Sequence, residues 1–380
     1  MNSQLTEFST IPCELFTICS GCQLNEHVIS PPIWEEIKHY FFSKGLDAPC
    51  LYHKEIIQWR NRVKLAIRGN AENPQIGLFK RGTHEVLSIP SCPMHHPKIN
   101  LAIQSLIEFI KKIQVQPYCE NRHRGELRYC QLVVERTSGK VQLSLVVNDD
   151  KITPSLSNLA EQLSGTGLFH SIWINFQPAA TNRIFGDKWI LCWGEPLLWE
   201  EFNGISVCFH PACFGQAHFS LFEEMLKSIQ RHVLPEKRIL ELYAGVGVIG
   251  LSVASTSTKL ICSEINPHAK DCFEAAIKKL PSEVQNKTSF VLGAAESSTH
   301  LLADADVLIV DPPRKGLDPK LLSAIADSRL EQIIYVSCGP FSFMRDCDEL
   351  LNHGWRLDKA EGYLLFPGTD HVELIGYFKR

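Results

Sequence analysis

The sequence lacks the features of a membrane-spanning, secreted or strongly basic protein. Nowhere do eighteen apolar residues run together, so no transmembrane helix is predicted. The first 22 residues contain no basic segment followed by an apolar one, so no secretion signal is predicted either. The 38 basic and 42 acidic residues leave a formal charge of −4, which excludes a histone-like chain. We therefore expect a cytoplasmic monomer with no membrane partner, whose fourteen cysteines lie in a reducing compartment.

The first half of the chain is rich in alternating apolar and polar residues, the pattern of half-buried strands. Runs from Leu127 and Lys140 flank a turn-like segment and predict a hairpin, and further strands are predicted from Ser171 and Trp189. A helix is predicted within residues 25–50; its periodicity does not assign it to a domain, and packing on the second, catalytic domain is one option. We predict a mixed β-rich domain over residues 1–204.

The pattern changes near residue 205, where short apolar strands begin to alternate with helix-length intervals. Five such strands are predicted, starting at Arg238, Lys259, Thr288, Asp306 and Gln332. This alternation is typical of a parallel sheet with helices on both faces. The fold class is therefore α/β, with a doubly wound, Rossmann-like domain over residues 205–380.

A glycine-rich loop follows the first of these strands, between Glu241 and Gly250. In a doubly wound fold this loop contacts the ligand, because glycines let the backbone approach it closely. Glu264 ends the next strand, where a carboxylate can bind ribose hydroxyls. An acid at position 241, ahead of the loop, is common in S-adenosylmethionine sites and unusual in dinucleotide sites. Methyl transfer is therefore the leading interpretation, with an NAD-type domain as the alternative.

Two polar side chains are expected at the carboxyl edge of the same sheet, and a third candidate lies near the C-terminus. Asp311 ends the fourth strand ahead of two prolines, and Cys338 ends the fifth strand just before a helix, where the helix N-terminus should lower the pKa of its thiol. Glu373 follows a polar loop near the C-terminus. Cys338 is a candidate nucleophile and Glu373 a candidate proton acceptor. The alternatives are a small packing cysteine and an exposed glutamate at a strand edge.

Taken in order, the motifs Asp311-Pro-Pro-Arg-Lys-Gly, Ser337-Cys338-Gly-Pro and Phe366-Pro-Gly-Thr-Asp-His-Val-Glu373 give the chain a specific resemblance. It resembles the RNA 5-methyluridine methyltransferases, and most of all the iron-sulfur bacterial members that modify 23S ribosomal RNA. The likeness covers nearly the whole chain. It implies S-adenosylmethionine as cofactor, Cys338 as nucleophile and Glu373 as base, with four side chains contacting the cofactor: Gln216, Tyr243, Glu264 and Asp311.

Two departures from the family pattern concern the positioning of the substrate. The family commonly has Asn where this chain has Gly339, and Asn where this chain has His218.

Three cysteines near the N-terminus and a fourth before a proline form a candidate metal centre: Cys13, Cys19, Cys22 and Cys92. Four thiolates suit zinc or a [4Fe-4S] cluster, and three close cysteines plus a distant Cys-Pro favour the cluster. The resemblance places these same four positions as cluster ligands. The remaining cysteines lie mostly in apolar runs and are interpreted as core residues.

Residues 54–81 contain seven basic and two acidic residues, a local charge of +5. Such a patch is typical of a phosphate-binding surface, and the interleaved Trp59, Phe79 and Tyr129 offer rings for stacking bases. The alternative is a solvated strand face above an aromatic core. The candidate RNA contacts are Arg60, Asn61, Lys64, Lys80, Arg81, Arg124 and Arg128.

These features together predict formation of 5-methyluridine in RNA, with ribosomal RNA favoured over transfer RNA. Attack of Cys338 on C6 of uracil makes C5 nucleophilic, and Glu373 then removes the C5 proton. Two other functions remain open: a base amino-methyltransferase that uses the Asp-Pro-Pro edge, and a non-catalytic iron-sulfur RNA-binding factor.

Overall fold

The computed structural model describes residues 10–380, which divide into two compact units. Unit 1 comprises the described residues 10–26 together with residues 55–200, and unit 2 comprises residues 27–54 and 201–380. Each unit has its own sheet. Within residues 10–380, no helix is both long and apolar enough to span a membrane.

The helices are α1 (Ile33–Ser43), α2 (Pro97–Ile113), α3 (Pro154–Ser164), α4 (Phe219–His232), α5 (Val248–Val253), α6 (Pro267–Ile277), α7 (Ser282–Gln285), α8 (Pro319–Ala326) and α9 (Pro340–Asn352). The strands before the glycine loop are β1 (Cys50–Tyr52), β2 (Arg62–Gly69), β3 (Pro74–Phe79), β4 (Val86–Ser88), β5 (Leu127–Val134), β6 (Val141–Val147), β7 (Phe169–Phe176), β8 (Lys188–Gly194), β9 (Leu198–Phe202) and β10 (Ile205–Phe209). The remaining strands are β11 (Arg238–Leu242), β12 (Lys259–Glu264), β13 (Thr288–Leu292), β14 (Val307–Val310), β15 (Gln332–Ser337), β16 (Arg356–Tyr363) and β17 (Glu373–Lys379).

Unit 1 is built on a seven-stranded sheet in the order β4-β3-β2-β5-β6-β7-β8. The predicted hairpin is confirmed as β5 and β6, and the two further predicted strands are β7 and β8. All neighbours are antiparallel except β6 and β7, which pair in parallel because α3 crosses between them. Apolar residues of α2 and α3 pack in one core with alternate residues of these strands. The intervening residues are polar and apolar, among them Gln142, Ser144 and Val146 of β6, and these three are buried too.

Unit 2 is built on an eight-stranded sheet in the order β1-β16-β17-β15-β14-β11-β12-β13. The five predicted parallel strands are confirmed as β11 to β15. Leu240 and Leu242 of β11 share a core with α1, α8 and α9, whereas the alternate residue Glu241 bonds to α5 on the opposite face. Helices therefore cover both faces, as predicted.

The order of strands creates a topological switch between β11 and β14. The chain runs outward from β11 to β13 and then returns to the other side of β11. In such sheets ligands bind at the carboxyl ends of the strands that flank the switch. The sequence pattern placed apolar strands on both sides of the loop before Glu373, but did not predict that they extend this sheet as β16 and β17 or that β1 pairs with β16. The helix within residues 25–50, for which packing on the second domain was one option, belongs to unit 2 as α1.

Candidate active site

The glycine-rich loop turns from β11 into α5 through left-handed backbone conformations. Gly245 has φ +55° and Gly247 has φ +80°, values that L-residues with side chains adopt only with strain. A Cβ at Gly247 would lie 2.4 Å from the ring of Phe273, whereas a Cβ at Gly245 would meet nothing within 4 Å. Gly247 therefore permits close packing, and Gly245 keeps open space next to the loop.

Glu264 ties the loops that follow β11 and β12 to one carboxylate. Its Oε2 accepts a hydrogen bond from the Gly245 N–H (3.1 Å), and its Oε1 accepts one from the Asn266 N–H (3.0 Å). The carboxylate is thereby held at the end of the second strand, the position at which ribose hydroxyls are bound in this fold class.

Glu241 supports the loop from beneath. Its Oε2 accepts a hydrogen bond from the Gly250 N–H (2.9 Å) and one from the thiol of Cys262 (3.2 Å). Burial raises the pKa of this carboxyl group to about 8. Glu241 therefore anchors the first turns of α5 to the sheet.

One cavity of about 480 Å³ lies at the carboxyl edge of the sheet. It brings together all six predicted side chains: Gln216, Tyr243, Glu264, Asp311, Cys338 and Glu373. Tyr243 adopts a left-handed φ of +60°, a strained conformation that is concentrated at functional sites.

The pairing of β15 with β17 places the two candidate catalytic residues at adjacent strand ends. Leu374 of β17 lies opposite Ser337 of β15, so Glu373 and Cys338 each lie next to a paired residue. Glu373 is only 3% exposed, which excludes the alternative of an exposed strand-edge glutamate. Cys338 is half-buried.

Burial and mutual repulsion raise the pKa values of the acidic groups in this cavity. Burial raises the pKa of Asp311 to about 7, and burial together with the charge of Asp311 raises that of Glu373 well above its ordinary range. Burial, reinforced by Glu373 and Asp311, raises the pKa of the Cys338 thiol to about 11. The expectation that the helix N-terminus lowers this pKa is therefore wrong for the free protein, because desolvation and the neighbouring carboxylates outweigh it. Arg314 opposes the shifts of Cys338 and Glu373.

Sequence reasoning did not assign three further lining residues: Phe214, Arg314 and Phe366. Arg314 follows the two prolines of the Asp-Pro-Pro turn, and aromatic rings reach the cavity from two other segments. Phe214 stands two residues before Gln216, and Phe366 begins the loop that leads to Glu373. All three residues lie within or next to the motifs from which the other cavity residues were predicted, and this proximity is the sequence signal that could have identified them.

The two departures from the family pattern have different surroundings. A Cβ at Gly339 would lie 2.5 Å from the carbonyl oxygen of Arg314, so the glycine lets the start of α9 contact the Asp-Pro-Pro-Arg loop directly. His218 is buried ahead of α4, and its Nδ1 lies 3.3 Å from the hydroxyl of Ser220.

The four predicted metal-ligating cysteines also meet, in unit 1. Cys13, Cys19, Cys22 and Cys92 line a cavity of about 420 Å³ whose walls are mostly apolar and include Arg60. Among residues 10–380, no group of three or more His, Cys, Asp or Glu side chains has metal-binding geometry. The cluster therefore stays a prediction. Of the other cysteines, six are buried as predicted, Cys119 and Cys192 are half-buried, and Cys50 is exposed.

Several of the predicted RNA contacts are engaged within unit 1. Arg81 donates to the carbonyls of Phe16 (3.0 Å), Cys19 (2.9 Å) and Cys22, and so holds the cysteine-bearing segment in place. The buried Arg128 donates to the carbonyls of Gln177 and Ala179 (2.7 Å).

The other predicted contacts lie on strands and loops of unit 1, and their assignments to RNA stay predictions. Arg60 stacks on Trp59 (4.5 Å), Asn61 donates to the Trp59 carbonyl (2.9 Å), Lys64 lies over Phe185 (4.7 Å), Lys80 pairs with Glu85 (2.6 Å), and Arg124 is exposed. Trp59 itself is 3% exposed, which is too little for the base stacking considered for it.

A doubly wound sheet, a glycine loop and a carboxylate at the end of the second strand define a Rossmann-like cofactor-binding domain, the class to which S-adenosylmethionine-dependent methyltransferases and dinucleotide-binding proteins both belong. Comparison with known proteins identifies which family of this class the chain resembles. Residues 203–380 match the family described as tRNA (Uracil-5-)-methyltransferase. An uncharacterized RNA methyltransferase of Protochlamydia amoebophila is 46% identical over 378 residues, which cover 97% of this chain and 98% of that protein. Another, from Clostridium tetani, is 27% identical and covers 96% of this chain and 81% of that protein.

Among solved structures, the Pyrococcus abyssi tRNA (uracil-54, C5)-methyltransferase in complex with S-adenosyl-L-homocysteine has a similar fold. The TM-score is 0.74 at 24% sequence identity, and the match covers 90% of this chain and 81% of that one. The chain belongs to the RNA uracil-5-methyltransferase family. It is an S-adenosylmethionine-dependent RNA (uracil-C5)-methyltransferase.

Proposed function

We propose that this enzyme forms 5-methyluridine in 23S ribosomal RNA, with Cys338 as nucleophile and Glu373 as base. The observation that supports the assignment is the single cavity lined by both residues together with Gln216, Tyr243, Glu264 and Asp311. A methyl donor and a flipped uracil must meet within one enclosed space, because a stacked base cannot present C6 to a thiol.

The cavity fits S-adenosylmethionine. The Glu264 carboxylate is oriented by two backbone N–H groups, and Gly245 leaves open space beside it. Glu264 would hold the ribose hydroxyls, while Gln216, Tyr243 and Asp311 would contact the rest of the molecule. When bound, S-adenosylmethionine supplies the methyl group and a positive sulfonium charge that favours the ionised forms of nearby acids.

The chemistry assigned to the protein begins at Cys338. Its thiolate adds to C6 of uracil, and the electron pair of the C5–C6 double bond moves to make C5 nucleophilic. After C5 is methylated, the Glu373 carboxylate removes the C5 proton. The electrons of that C–H bond re-form the double bond as the thiolate leaves C6. Arg314 assists both residues, because its charge favours the thiolate and the carboxylate.

Transfer RNA is the second candidate substrate. The matching family and the Pyrococcus abyssi enzyme both carry transfer RNA in their names. The preference for ribosomal RNA rests on the motif resemblance to iron-sulfur members that modify it.

We also propose that unit 1 holds a [4Fe-4S] cluster on Cys13, Cys19, Cys22 and Cys92. The donor set fits, because four thiols line one largely apolar cavity and the Arg60 guanidinium supplies positive charge beside them. Methyl transfer consumes no electron, so the group would serve structure or RNA positioning. Anaerobic reconstitution followed by iron and sulfide analysis and Mössbauer spectroscopy tests this. Cys22→Ala should lower the iron content, whereas Cys192→Ala, a half-buried thiol elsewhere in unit 1, should not.

Nucleoside mass spectrometry tests the reaction and its substrate together. Protein purified anaerobically is incubated with isotope-labelled S-adenosylmethionine and either unmodified 23S ribosomal RNA or unmodified transfer RNA. Labelled 5-methyluridine in ribosomal RNA is the expected result. Label in transfer RNA alone would keep the mechanism and change the substrate, and label on another nucleoside would refute the proposed chemistry.

Two substitutions test the roles of the proposed catalytic residues. Cys338→Ala should bind S-adenosylmethionine normally and form no product, while Cys50→Ala, an exposed thiol of unit 2, should behave as wild type. Glu373→Gln should accumulate a covalent enzyme–RNA adduct that survives denaturation. Turnover by Cys338→Ala, or absence of the adduct with Glu373→Gln, would contradict the assigned roles.

A further inference from the structure

A large aromatic side chain is exposed on the first turn of α9, three residues after Cys338. Phe341 is 64% exposed, whereas Phe343 and Leu350 of the same helix are buried in the core of unit 2. A single exposed apolar residue is common on protein surfaces, so the exposure alone implies nothing. The position of Phe341, next to the candidate nucleophile, is what calls for an explanation.

The loop that follows Asp311 is hydrogen-bonded to the first two turns of α9. The Ser342 hydroxyl donates to the carbonyl of Arg314 (2.8 Å), and Arg345 donates to the carbonyl of Lys315 (3.1 Å). Gly339 brings the two segments closer still, since no Cβ fits between it and the Arg314 carbonyl. The backbones of Arg314 and Lys315 are thereby held against the start of α9, which carries Phe341.

The loop that follows Asp311 carries two cations that face solvent. The side chains of Arg314 and Lys315 are exposed, and Arg345 is paired with the buried Asp346 (2.6 Å). Arg314 also lines the cavity that contains Cys338 and Glu373. Arg314 thus reaches the cavity that the target uridine would enter, while Lys315 follows it in the chain and the exposed ring of Phe341 lies three residues after the cavity-lining Cys338.

We propose that Phe341, Arg314 and Lys315 bind the RNA segment next to the target uridine, with Phe341 stacking on a neighbouring base and the two cations contacting phosphates. Single-stranded RNA is bound by this combination of aromatic stacking and positive charge. A flipped base leaves its neighbour partly unstacked, and an aromatic surface compensates for that loss. This inference rests on the proposed function, because it presumes that RNA enters this cavity.

Direct binding tests the inference without relying on turnover. The probe is a fluorescein-labelled, uridine-containing single-stranded oligoribonucleotide, and the readout is fluorescence anisotropy with the full-length protein. Phe341→Ala should weaken binding roughly tenfold, the effect of losing one base–aromatic stack, and Phe341→Trp should restore it. Phe42→Ala is the matched control, since Phe42 is 63% exposed on α1 of the same unit. Lys315→Gln should reduce the dependence of affinity on salt concentration.

The outcomes separate this inference from the proposed function. Equal affinity of Phe341→Ala and Phe42→Ala would overturn the stacking role, even if the wild-type enzyme methylates RNA. Weaker S-adenosylmethionine binding by Phe341→Ala in calorimetry would also overturn it, because the residue would then act on folding of the site. If the wild type formed no 5-methyluridine while Phe341→Ala still lost RNA affinity, the proposed reaction would fail and the binding site would stand.

Discussion

At the scale of single residues, the cavity of unit 2 places three acidic groups within electrostatic reach of one another and of one arginine. Burial raises the cost of ionising all three groups, Glu373 and Asp311 add to that cost for Cys338, and Asp311 adds to it for Glu373. The positive charge of Arg314 lowers the cost of ionisation for Cys338 and Glu373. The thiol of Cys338, the proposed nucleophile, is therefore expected to stay protonated at neutral pH in the free enzyme and to become more reactive when positive charge is brought close to it.

The raised pKa of the Cys338 thiol should make it react slowly with alkylating reagents in the free enzyme. Because its pKa is about 11, alkylation by iodoacetamide should be slow at neutral pH and should accelerate roughly tenfold per pH unit up to about pH 10. Arg314→Gln should slow alkylation at every pH in this range, since it removes the charge that favours the thiolate. The rate is followed by mass spectrometry of the peptide that carries Cys338. A plateau below pH 9 would contradict the raised pKa.

At the scale of elements, strand ends and helix starts fix the positions of the proposed catalytic residues. Leu374 lies opposite Ser337 in the β15–β17 pair, and the Glu373 loop is in turn tied to α1, because Asp370 Oδ1 accepts the Ile33 N–H (2.9 Å). Helix α1 has no side-chain cap of its own, so a residue far along the chain satisfies this N–H.

Loss of the hydrogen bond between Ile33 and Asp370 should make the start of α1 and the loop before Glu373 more mobile. Asp370→Ala removes a helix-capping acceptor, which is worth about 1 kcal/mol, and should increase amide hydrogen exchange at the start of α1. It should also lower kcat more than it raises KM for RNA, because the Glu373 loop loses an anchor. Asp370→Asn keeps an acceptor oxygen and should resemble wild type. Exchange that rises equally across unit 2 would instead indicate general destabilisation.

The junction between α9 and the Asp-Pro-Pro-Arg loop depends on Gly339 having no side chain. Gly339→Ala should destabilise unit 2 by about 1–3 kcal/mol and reduce turnover, because the added Cβ lies 2.5 Å from a backbone carbonyl and the loop must move. The control is Gly165→Ala, where the nearest atom is 3.5 Å from the added Cβ. Chemical denaturation and the rate of methyl transfer measure the two effects. Equal stability of both variants would show that the loop accommodates a side chain.

At the scale of the whole molecule, each unit has its own sheet, core and cavity. The cysteines of unit 1 and the proposed catalytic residues of unit 2 line separate cavities. Beneath the glycine loop of unit 2, the buried carboxyl group of Glu241 makes stability depend on pH. A carboxyl group whose pKa is raised on folding stabilises the protein below its ordinary pKa, and this contribution is lost as the pH rises through the folded value.

Glu241→Gln should therefore change the pH dependence of unfolding. The pKa of Glu241 rises to about 8, so the wild type should lose stability between about pH 5 and pH 9, by an amount on the order of a few kcal/mol. The glutamine variant should lose less, and should be the more stable protein at pH 9. Urea denaturation at both pH values measures this, with the exposed Glu72→Gln as control. Parallel curves for Glu241→Gln and wild type would refute the assignment.

The sequence by itself determined the elements and the candidate residues that local pattern encodes. Apolar runs predicted β11 to β15, because a buried parallel strand has few polar positions, and the motifs at their carboxyl ends named Asp311 and Cys338. The hairpin of β5 and β6 was predicted for the same kind of reason, from strict alternation around a turn.

Only the tertiary structure decided the properties that depend on distant segments. The pKa of Cys338 is set by burial and by carboxylates about thirty residues away on either side of it in the chain, and local position next to α9 predicted the wrong direction. Arg81 and Arg128 carry charge that suggested RNA, yet their guanidinium groups hold loops of unit 1. Charge, periodicity and motif spacing are local properties of a chain, whereas desolvation and hydrogen bonding depend on which remote groups the fold brings into contact.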